Sequence, residues 1–213
     1  MIINGDCLEE LDKLAENSVD MLLIDPPYFI PAETYKTLTK YGKSLSELGI
    51  MEGFFKTLFK KLDRVIKKDA HLIIFCDCNS YPIFYIHLFP YVKKMRSFVW
   101  DKISCSLGYG FRHQHELILY GQRPDHKSIR CGLGDVFKFH AVKAKTKIHP
   151  SQKPVNLYEH LIKNLSSKGH TILDCFCGSG SSGVACKNVG DRNYIGIEID
   201  NKYCEIGRSR IKK

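Results

Sequence analysis

The chain has 213 residues, of which 44% are hydrophobic and 26% are charged. This length and composition suit one globular domain with a sizeable core, and they exclude a disordered or fibrous protein. Its 32 Lys and Arg against 23 Asp and Glu, a formal net charge of +9, favour a polyanionic partner such as nucleic acid. The apolar runs are too short to cross a membrane, and the first residues do not resemble a secretory signal.

The nine cysteines are interpreted as reduced thiols of a cytoplasmic protein. None of them has the Cys-x-x-Cys spacing of zinc or thioredoxin-like sites, so most are expected to be small buried hydrophobic residues. Two Cys-x-Cys pairs, Cys76/Cys78 and Cys175/Cys177, lie at the ends of predicted strands. We expect no metal site there.

Short apolar runs of strand length alternate with longer segments of helical periodicity, a pattern typical of an α/β fold with a largely parallel sheet. The predicted strands, in chain order, are 1–4, 19–24, 71–76, 96–100, 115–120, 171–175 and 194–198. The predicted helices are 8–16, 50–68, 154–166, 181–189 and 201–211. Two stretches without a clear period, 25–49 and 121–148, are predicted to be long functional loops.

The second of these loops is strongly basic. Residues 121–148 contain seven Lys and Arg against two Asp, so more than half of the excess positive charge lies there. These cations are candidate contacts to the phosphates of a nucleic acid, and the alternative is a loop that only solubilises the protein. The candidate contacts are Arg123, Lys127, Arg130, Lys143, Lys145 and Lys147.

A carboxylate and two prolines follow the apolar strand that ends at Ile24. Asp25, Pro26, Pro27 and Tyr28 would form a stiff turn at the carboxyl edge of the sheet, where α/β proteins gather their ligands. The Asp25 carboxylate and the Pro26 carbonyl could each accept one hydrogen of a planar amino group, while Tyr28 stacks on a base. The alternative is an ordinary proline-rich turn capped by Asp25.

A second candidate site follows the predicted strand 171–175 and opens a helix. It contains the spacing Gly-x-Gly-x-x-Gly from Gly178 to Gly183, and Glu198 ends the next predicted strand. Glycines allow positive φ and close approach to a ligand, and a carboxylate can accept hydrogen bonds from ribose hydroxyls. The arrangement suits a dinucleotide or S-adenosylmethionine equally, and a tight turn without ligand is the alternative.

Taken together, these motifs resemble those of a known family, the beta group of DNA amino-methyltransferases. The resemblance lies, in the family's order, at Asp25 to Tyr28, His149 to Pro154, Asp174 to Gly180, and Ile195 to Asp200. It implies a circularly permuted Rossmann-like class I S-adenosylmethionine-dependent methyltransferase fold, with a mostly parallel seven-stranded sheet flanked by helices. Residues 1–213 would form a single domain, with 121–148 as a short target-recognition segment.

The resemblance implies transfer of a methyl group from S-adenosylmethionine to an exocyclic nitrogen of a flipped base in double-stranded DNA. Asp25, Pro26, Pro27 and Tyr28 would be the catalytic residues, and Asp in the first position favours N6 of adenine over the alternative, N4 of cytosine. Lys153 would lie near the cofactor carboxylate. The cofactor-binding residues implied are Asp6, Cys7, Ser151, Lys153, Asp174, Phe176, Cys177, Gly178, Ser179, Gly180 and Glu198. A homodimer is expected from the same resemblance.

Two interpretations from other classes remain open at this point. A Rossmann-type oxidoreductase would use Gly178, Gly180, Gly183 and Glu198 for NAD, but it leaves the Asp25 turn without a purpose. A nucleic-acid-binding subunit that has lost catalysis would have no need of that turn either. Binding of S-adenosylmethionine, NAD or neither separates the three.

Overall fold

The computed structural model describes residues 1–28, 48–105, 109–125 and 132–213. The strands are β1 (Ile2–Asn4), β2 (Val19–Ile24), β3 (Ile66–Cys76), β4 (Lys94–Asp101), β5 (His115–Gln122), β6 (Val136–Lys138), β7 (Thr171–Asp174) and β8 (Asn193–Glu198). The helices are α1 (Cys7–Lys13), α2 (Leu48–Val65), α3 (Tyr81–Leu88), α4 (Val155–Leu165), α5 (Ser181–Val189) and α6 (Asn201–Lys212). Within these ranges no helix combines the length and apolar character that a bilayer span requires.

All the described strands belong to one sheet, in the order β1-β8-β7-β2-β3-β5-β4-β6. Neighbouring strands run parallel except that β5 is antiparallel to both β3 and β4. The predicted α/β class with a mostly parallel sheet is therefore confirmed. The predicted strand count of seven is wrong for the described residues, because β6 adds an eighth.

Two elements had no counterpart in the sequence prediction, and each lacks the pattern that would reveal it. Strand β6 lies inside the stretch 121–148 and has three residues, which is too short to show an alternation. Helix α3 reads Tyr-Pro-Ile-Phe-Tyr-Ile-His-Leu and is apolar on nearly every side, so no helical period emerges.

Helix α2 also ends earlier than the prediction of 50–68. It stops at Val65, and β3 begins at Ile66 rather than at 71. Lys68 and Asp69 are exposed at the start of this strand. Their charge resembles the polar face of the preceding helix, which is why the sequence pattern extended the helix too far.

Both faces of the central strands are buried. In β2, Leu22 and Ile24 point into the core cluster that contains α2, while Met21 and Leu23 pack in the cluster that contains α4. Apart from Asp20, this strand therefore reads as a run of apolar residues, as expected for a parallel strand covered by helices on both sides. Its rigid end is what holds Asp25 at the edge of the sheet.

The two ends of the chain meet at the edge of the sheet that β1 forms. Strand β1 pairs in parallel with β8, and Arg208 of α6 donates from Nε and Nη2 to the carbonyl of Ile2 at 3.1 and 2.9 Å. Strand β7 lies between β8 and β2. The carboxyl ends of β8, β7 and β2 consequently form one row, which is the geometry that the implied permutation requires. The permutation itself stays a prediction.

Candidate active site

The Asp25 turn lies at the carboxyl end of β2, with Pro26 buried and its neighbours partly so. The Tyr28 hydroxyl donates to Asp25 Oδ1 at 2.6 Å, and Lys153 Nζ donates to Asp25 Oδ2 at 2.6 Å. Both carboxylate oxygens are thus held in place from the protein side, and each keeps a second lone pair. Burial raises the pKa of Tyr28 well above its usual value, so its hydroxyl remains a hydrogen-bond donor.

Lys153 comes to this turn from the segment that precedes α4. The apolar face of α4, including Leu157 and Leu161, packs on the sheet and anchors the segment. The Lys153 side chain is 5% exposed, and its Nζ also lies 3.1 Å from Glu116 Oε2. The ammonium group of Lys153 thus lies between two carboxylates, and its expected place near the cofactor carboxylate stays a prediction.

Glu116 is a residue for which the sequence predicted no role. It lies near the start of β5, which runs antiparallel to β3, so its side chain reaches the carboxyl edge where β2 ends. Its Oε1 pairs with Lys102 Nζ at 2.8 Å, and Tyr28 donates to its Oε2 at 3.3 Å. A lone carboxylate beginning an otherwise apolar strand was the available signal.

These contacts define a four-charge cluster made of Asp25, Glu116, Lys102 and Lys153. Its two carboxylates and two ammonium groups sum to zero charge, as a poorly solvated site requires. Burial raises the pKa of Asp25 even though Lys153 opposes it. Burial acts in the same direction on Glu116, but Lys153 and Lys102 outweigh it and the pKa of Glu116 is lowered.

Lys153 itself remains charged in this cluster. Burial alone would lower its pKa, but the Asp25 and Glu116 carboxylates outweigh the burial and the pKa of Lys153 is raised. Its Nζ also lies 5.4 Å from the ring centroids of both Tyr28 and Phe75, within reach of favourable cation–π contacts. A permanent cation therefore faces Asp25.

The glycine-rich turn after β7 has the backbone that the sequence predicted. Gly178 and Gly180 have φ values of +49° and +76°. A Cβ at Gly180 would lie 2.9 Å from Gly207 Cα, so glycine is required there both for conformation and for packing against α6. Asp174 accepts from Phe176 N at 3.1 Å and from the Ser182 hydroxyl, and burial raises its pKa to about 7.

Glu198 lies beside this turn at the end of β8. Its Oε2 accepts from Gly178 N at 2.8 Å and its Oε1 from Asp200 N at 2.9 Å. These two backbone donors fix the orientation of a half-buried carboxylate, which retains lone pairs for further donors. A fixed carboxylate next to a left-handed glycine turn fits the hydroxyls of a ribose.

The remaining residues expected at the cofactor lie around the same edge with different exposures. Asp6 Oδ1 accepts from Leu8 N at 2.8 Å and caps α1, and Gly5 N donates to the Glu198 carbonyl at 3.0 Å. Cys7 is buried, and this burial raises its pKa to about 12. The Asp6 turn therefore lies beside Glu198. The Cys7 thiol is buried and unreactive.

Ser151, Cys177 and Ser179 complete the predicted cofactor set. Ser151 is exposed, whereas Cys177 and Ser179 are buried. Arg210 Nη1 donates to the Ser179 carbonyl at 2.6 Å and to its hydroxyl at 3.0 Å. The Ser179 side chain is thus engaged by α6.

One predicted DNA contact is wrong. Arg123 is 2% exposed, its Nη1 and Nε donate to the carbonyls of Tyr91 and Lys67 at 2.6 and 3.3 Å, and its Nη2 pairs with Asp63 at 2.6 Å. A guanidinium so fully engaged by the protein is a structural group, not a surface cation. The sequence could not reveal this, because the partners lie on distant elements.

The other predicted DNA contacts fall into two groups. Lys127 and Arg130 lie outside the described residues. Lys143, Lys145 and Lys147 are exposed around a short 3-10 turn, a few residues before Lys153. A basic surface therefore adjoins the four-charge cluster.

A loop with exposed aromatic residues also leaves the sheet at this edge. It starts at Lys102 and returns at Gln114, where Lys102 N donates to the Gln114 carbonyl at 2.8 Å. Tyr109 and Phe111 on this loop are fully exposed, at 103% and 108%. These two rings are therefore free to contact a partner at this edge of the sheet.

Comparisons with known proteins agree with this arrangement. The sequence model of the family described as DNA methylase, of the N6 and N4 methyltransferases, matches residues 126–209. YubD of Escherichia coli (strain K12), which is named as a methylase, is 30% identical over 219 residues that cover 98% of this chain and 88% of YubD. The type II methyltransferase M.HinfI of Haemophilus influenzae is 26% identical over 246 residues, covering 100% of this chain and 68% of M.HinfI.

Solved structures show the same fold. M1.HpyAVI, solved as its SAM complex, superposes with a TM-score of 0.75 at 19% identity, covering 100% of this chain and 99% of M1.HpyAVI. The cytosine-N4-specific PvuII DNA methyltransferase has a TM-score of 0.75 at 15% identity, covering 98% and 85% of the two chains. From the 30% identity with YubD over nearly the whole of both chains, and from the family match, the chain belongs to the DNA methylase family of N6-adenine and N4-cytosine amino-methyltransferases.

Proposed function

We propose that this protein transfers a methyl group from S-adenosylmethionine to N6 of a flipped adenine in double-stranded DNA. The observation that carries the proposal is the position of the Asp25 turn beside the Asp174 to Gly180 turn, at the ends of the adjacent strands β2 and β7. A base amine held by the first turn would face a methyl donor held by the second. If the protein were instead an NAD-dependent oxidoreductase, the four-charge cluster would have no role in the reaction.

The cofactor would be held by the glycine turn, Glu198 and the Asp6 turn. Glu198 would accept hydrogen bonds from the ribose hydroxyls, and the positive φ of Gly178 and Gly180 lets the backbone approach the ligand closely. When bound, S-adenosylmethionine supplies an electrophilic methyl group, which bonds to the amine nitrogen as the carbon–sulfur bond breaks and the sulfur keeps that electron pair. None of this requires a nucleophilic cysteine.

The protein residues orient the amine and keep its lone pair available. Asp25 accepts one amine hydrogen, and the Pro26 carbonyl accepts the other, which draws the nitrogen towards tetrahedral geometry. The Tyr28 ring offers a stacking surface for the flipped base. After methyl transfer the nitrogen loses one proton, and the Asp25 carboxylate is the nearest acceptor.

The target-recognition role of 121–148 rests on charge and position. Lys143, Lys145 and Lys147 would contact phosphates, while Tyr109 and Phe111 would contact the bases that surround the extruded one. Both groups adjoin the edge of the sheet that carries Asp25. A single domain over 1–213, the homodimer and the cytoplasmic location stay predictions.

The choice of adenine over cytosine depends on Asp25 as the first residue of its turn. The experiment incubates AT-rich and GC-rich duplex DNA with the protein and methyl-labelled S-adenosylmethionine, then measures labelled nucleosides by mass spectrometry. We expect label in N6-methyladenine, and none with Asp25→Ala. Label in N4-methylcytosine would reverse the choice of base, and no label in either base would reject the proposal.

Asp20→Asn is the matched control for Asp25→Ala. Asp20 is a poorly exposed carboxylate, 11% exposed, that pairs with Lys67 at 2.6 Å. It lies in β2 like the residues that lead to Asp25, but near the opposite end of the strand. Its loss should weaken the fold without removing the methyl transfer.

A further inference from the structure

Glu116 is a carboxylate of the four-charge cluster to which the proposed reaction assigns no use. It lies 3.1 Å from Lys153 Nζ on one oxygen and 2.8 Å from Lys102 Nζ on the other, and Tyr28 also donates towards it. Its side chain is 19% exposed and Lys153 is 5% exposed. Glu116 therefore has three polar partners, two of which also contact Asp25.

A purely structural role explains this arrangement poorly. Burying charged groups costs free energy that their mutual attraction only partly repays, and apolar residues of similar volume are often as stable. A simple ion pair between Lys153 and Asp25 would already be neutral. The additional pair of Glu116 and Lys102 adds two more poorly solvated charges to the cluster.

The effect of this additional pair on Asp25 follows from how Lys153 is shared. With Glu116 present, the Lys153 ammonium divides its hydrogen bonds between two carboxylates, and the negative charge of Glu116 partly offsets the effect of Lys153 on Asp25. Without the charge of Glu116, that ammonium would act on Asp25 alone. Asp25 would then be a weaker acceptor for a substrate amine, because its negative charge would be more strongly neutralised.

We propose that Glu116 is a positioning residue for the reaction at Asp25: by sharing Lys153, it leaves the Asp25 carboxylate available as acceptor for the substrate amine. This inference rests on the proposed function. Glu116 acts through Lys153 and does not itself touch the base or the cofactor. Lys102 pairs with the other Glu116 oxygen and adds to the lowering of the pKa of Glu116 that Lys153 causes.

The groups that influence Asp25 come from several elements. Lys153 and Glu116 act on it most strongly among the charged residues, and Glu116 contributes to raising its pKa while Lys153 lowers it. The other titratable groups that interact with Asp25 or its two partners are Tyr28, Cys76, Lys102, Lys147, His149, Tyr158 and Asp174. The predicted effect of Glu116 is the shift of the acid limb that follows from its substitution while these other groups stay unchanged.

The test is the pH dependence of kcat/KM for methylation of duplex DNA by the full-length protein and its Glu116→Gln variant. The variant removes a charge that raises the pKa of Asp25, so the acid limb of the profile should move to lower pH, by about one unit. A weaker acceptor should also lower the plateau of kcat roughly tenfold, with KM for DNA changed less than about twofold. Glu116→Asp, which retains the charge, should restore most of the wild-type profile.

Asp20→Asn is again the matched control, since it breaks another poorly exposed ion pair of the same sheet. Its acid limb should coincide with that of the wild type. Lys102→Gln is the second variant, and it decides the matter if Glu116→Gln does not fold. Lys153 keeps Glu116 ionised in this variant, and the loss of the Lys102 cation leaves the cluster more negative, so the pKa of Asp25 should rise and the acid limb should move to higher pH.

The outcomes separate this inference from the proposed function. A wild-type protein that methylates no DNA rejects the proposed function. A wild-type protein that methylates DNA, with Glu116→Gln showing an unshifted acid limb or a change in KM alone, rejects only the role of Glu116. A shift of the Lys102→Gln limb to lower pH would reject it as well.

Discussion

Lys153 and Asp25 are 128 positions apart in the chain, yet Lys153 Nζ lies 2.6 Å from Asp25 Oδ2. The contact joins the segment before α4 to the end of β2, and it places a buried cation behind the carboxylate that would hold the substrate amine. The residue that family resemblance places near the cofactor is therefore also a direct partner of the proposed catalytic carboxylate.

Replacing Lys153 by Met should move the acid limb of kcat/KM to higher pH. The lysine lowers the pKa of Asp25 against the effect of burial, so without it the pKa rises further and the acceptor form appears only at higher pH. A shift of about two pH units is expected, measured by methyl transfer to duplex DNA. Lys153→Arg keeps the charge and should lie near the wild type. An unshifted limb with weaker S-adenosylmethionine binding would instead support the role that the sequence analysis assigned.

Replacing Glu198 by Gln should weaken binding of S-adenosylmethionine. The substitution removes the charge of an acceptor that two backbone donors hold in place beside the glycine turn. Hydrogen bonds to charged groups contribute more than neutral ones, so Kd should rise about tenfold or more in titration calorimetry. Glu205→Gln, on the exposed side of α6, is the control. An unchanged Kd for Glu198→Gln would place the cofactor elsewhere.

The basic residues of 121–148 should divide into two groups by their effects. Arg123→Met removes the guanidinium that two carbonyls and Asp63 contact, so the free energy of unfolding should fall by about 3 kcal/mol, with little change in DNA affinity. A triple change of Lys143, Lys145 and Lys147 to Gln should leave stability nearly unchanged. It should reduce the salt dependence of DNA binding, by a slope of about one per lysine. Denaturant titration measures the first effect, and DNA binding at several salt concentrations measures the second. A loss of stability in the triple lysine variant, or a loss of DNA affinity in Arg123→Met, would contradict the prediction.

Changing Tyr109 and Phe111 together to Ser should weaken productive DNA binding without destabilising the fold. Both rings are fully exposed, so their loss should alter the free energy of unfolding by less than about 0.5 kcal/mol. KM for duplex DNA should rise roughly tenfold, because stacking no longer offsets the cost of extruding the base. The effect should be smaller on DNA with a mismatch at the target base. Phe89→Ser, an exposed ring on another part of the surface, is the control, and an equal rise in KM there would contradict the assignment.

Local patterns explain why much of the fold and two of its turns were predictable. The predicted strand 19–24 becomes β2 with the same bounds, because a strand buried on both faces reads as a mostly hydrophobic run, here interrupted by Asp20. The Gly178 to Gly183 spacing predicts a strand-to-helix turn because it reflects a backbone requirement within a few residues. Strand β6 and helix α3 were missed, since neither has a period that stands out.

Neighbours along the chain are enough to predict the α/β class, the turn that carries Asp25 and the turn that carries Gly178, because each depends on residues close in sequence. The surroundings of Asp25 arise from the packing of distant elements, which brings Lys153 and Glu116 to one carboxylate and encloses Arg123 among backbone carbonyls. Side-chain electrostatics depends on distance and burial in space. Those quantities are set by how strands align across the sheet, and no spacing along the chain records them.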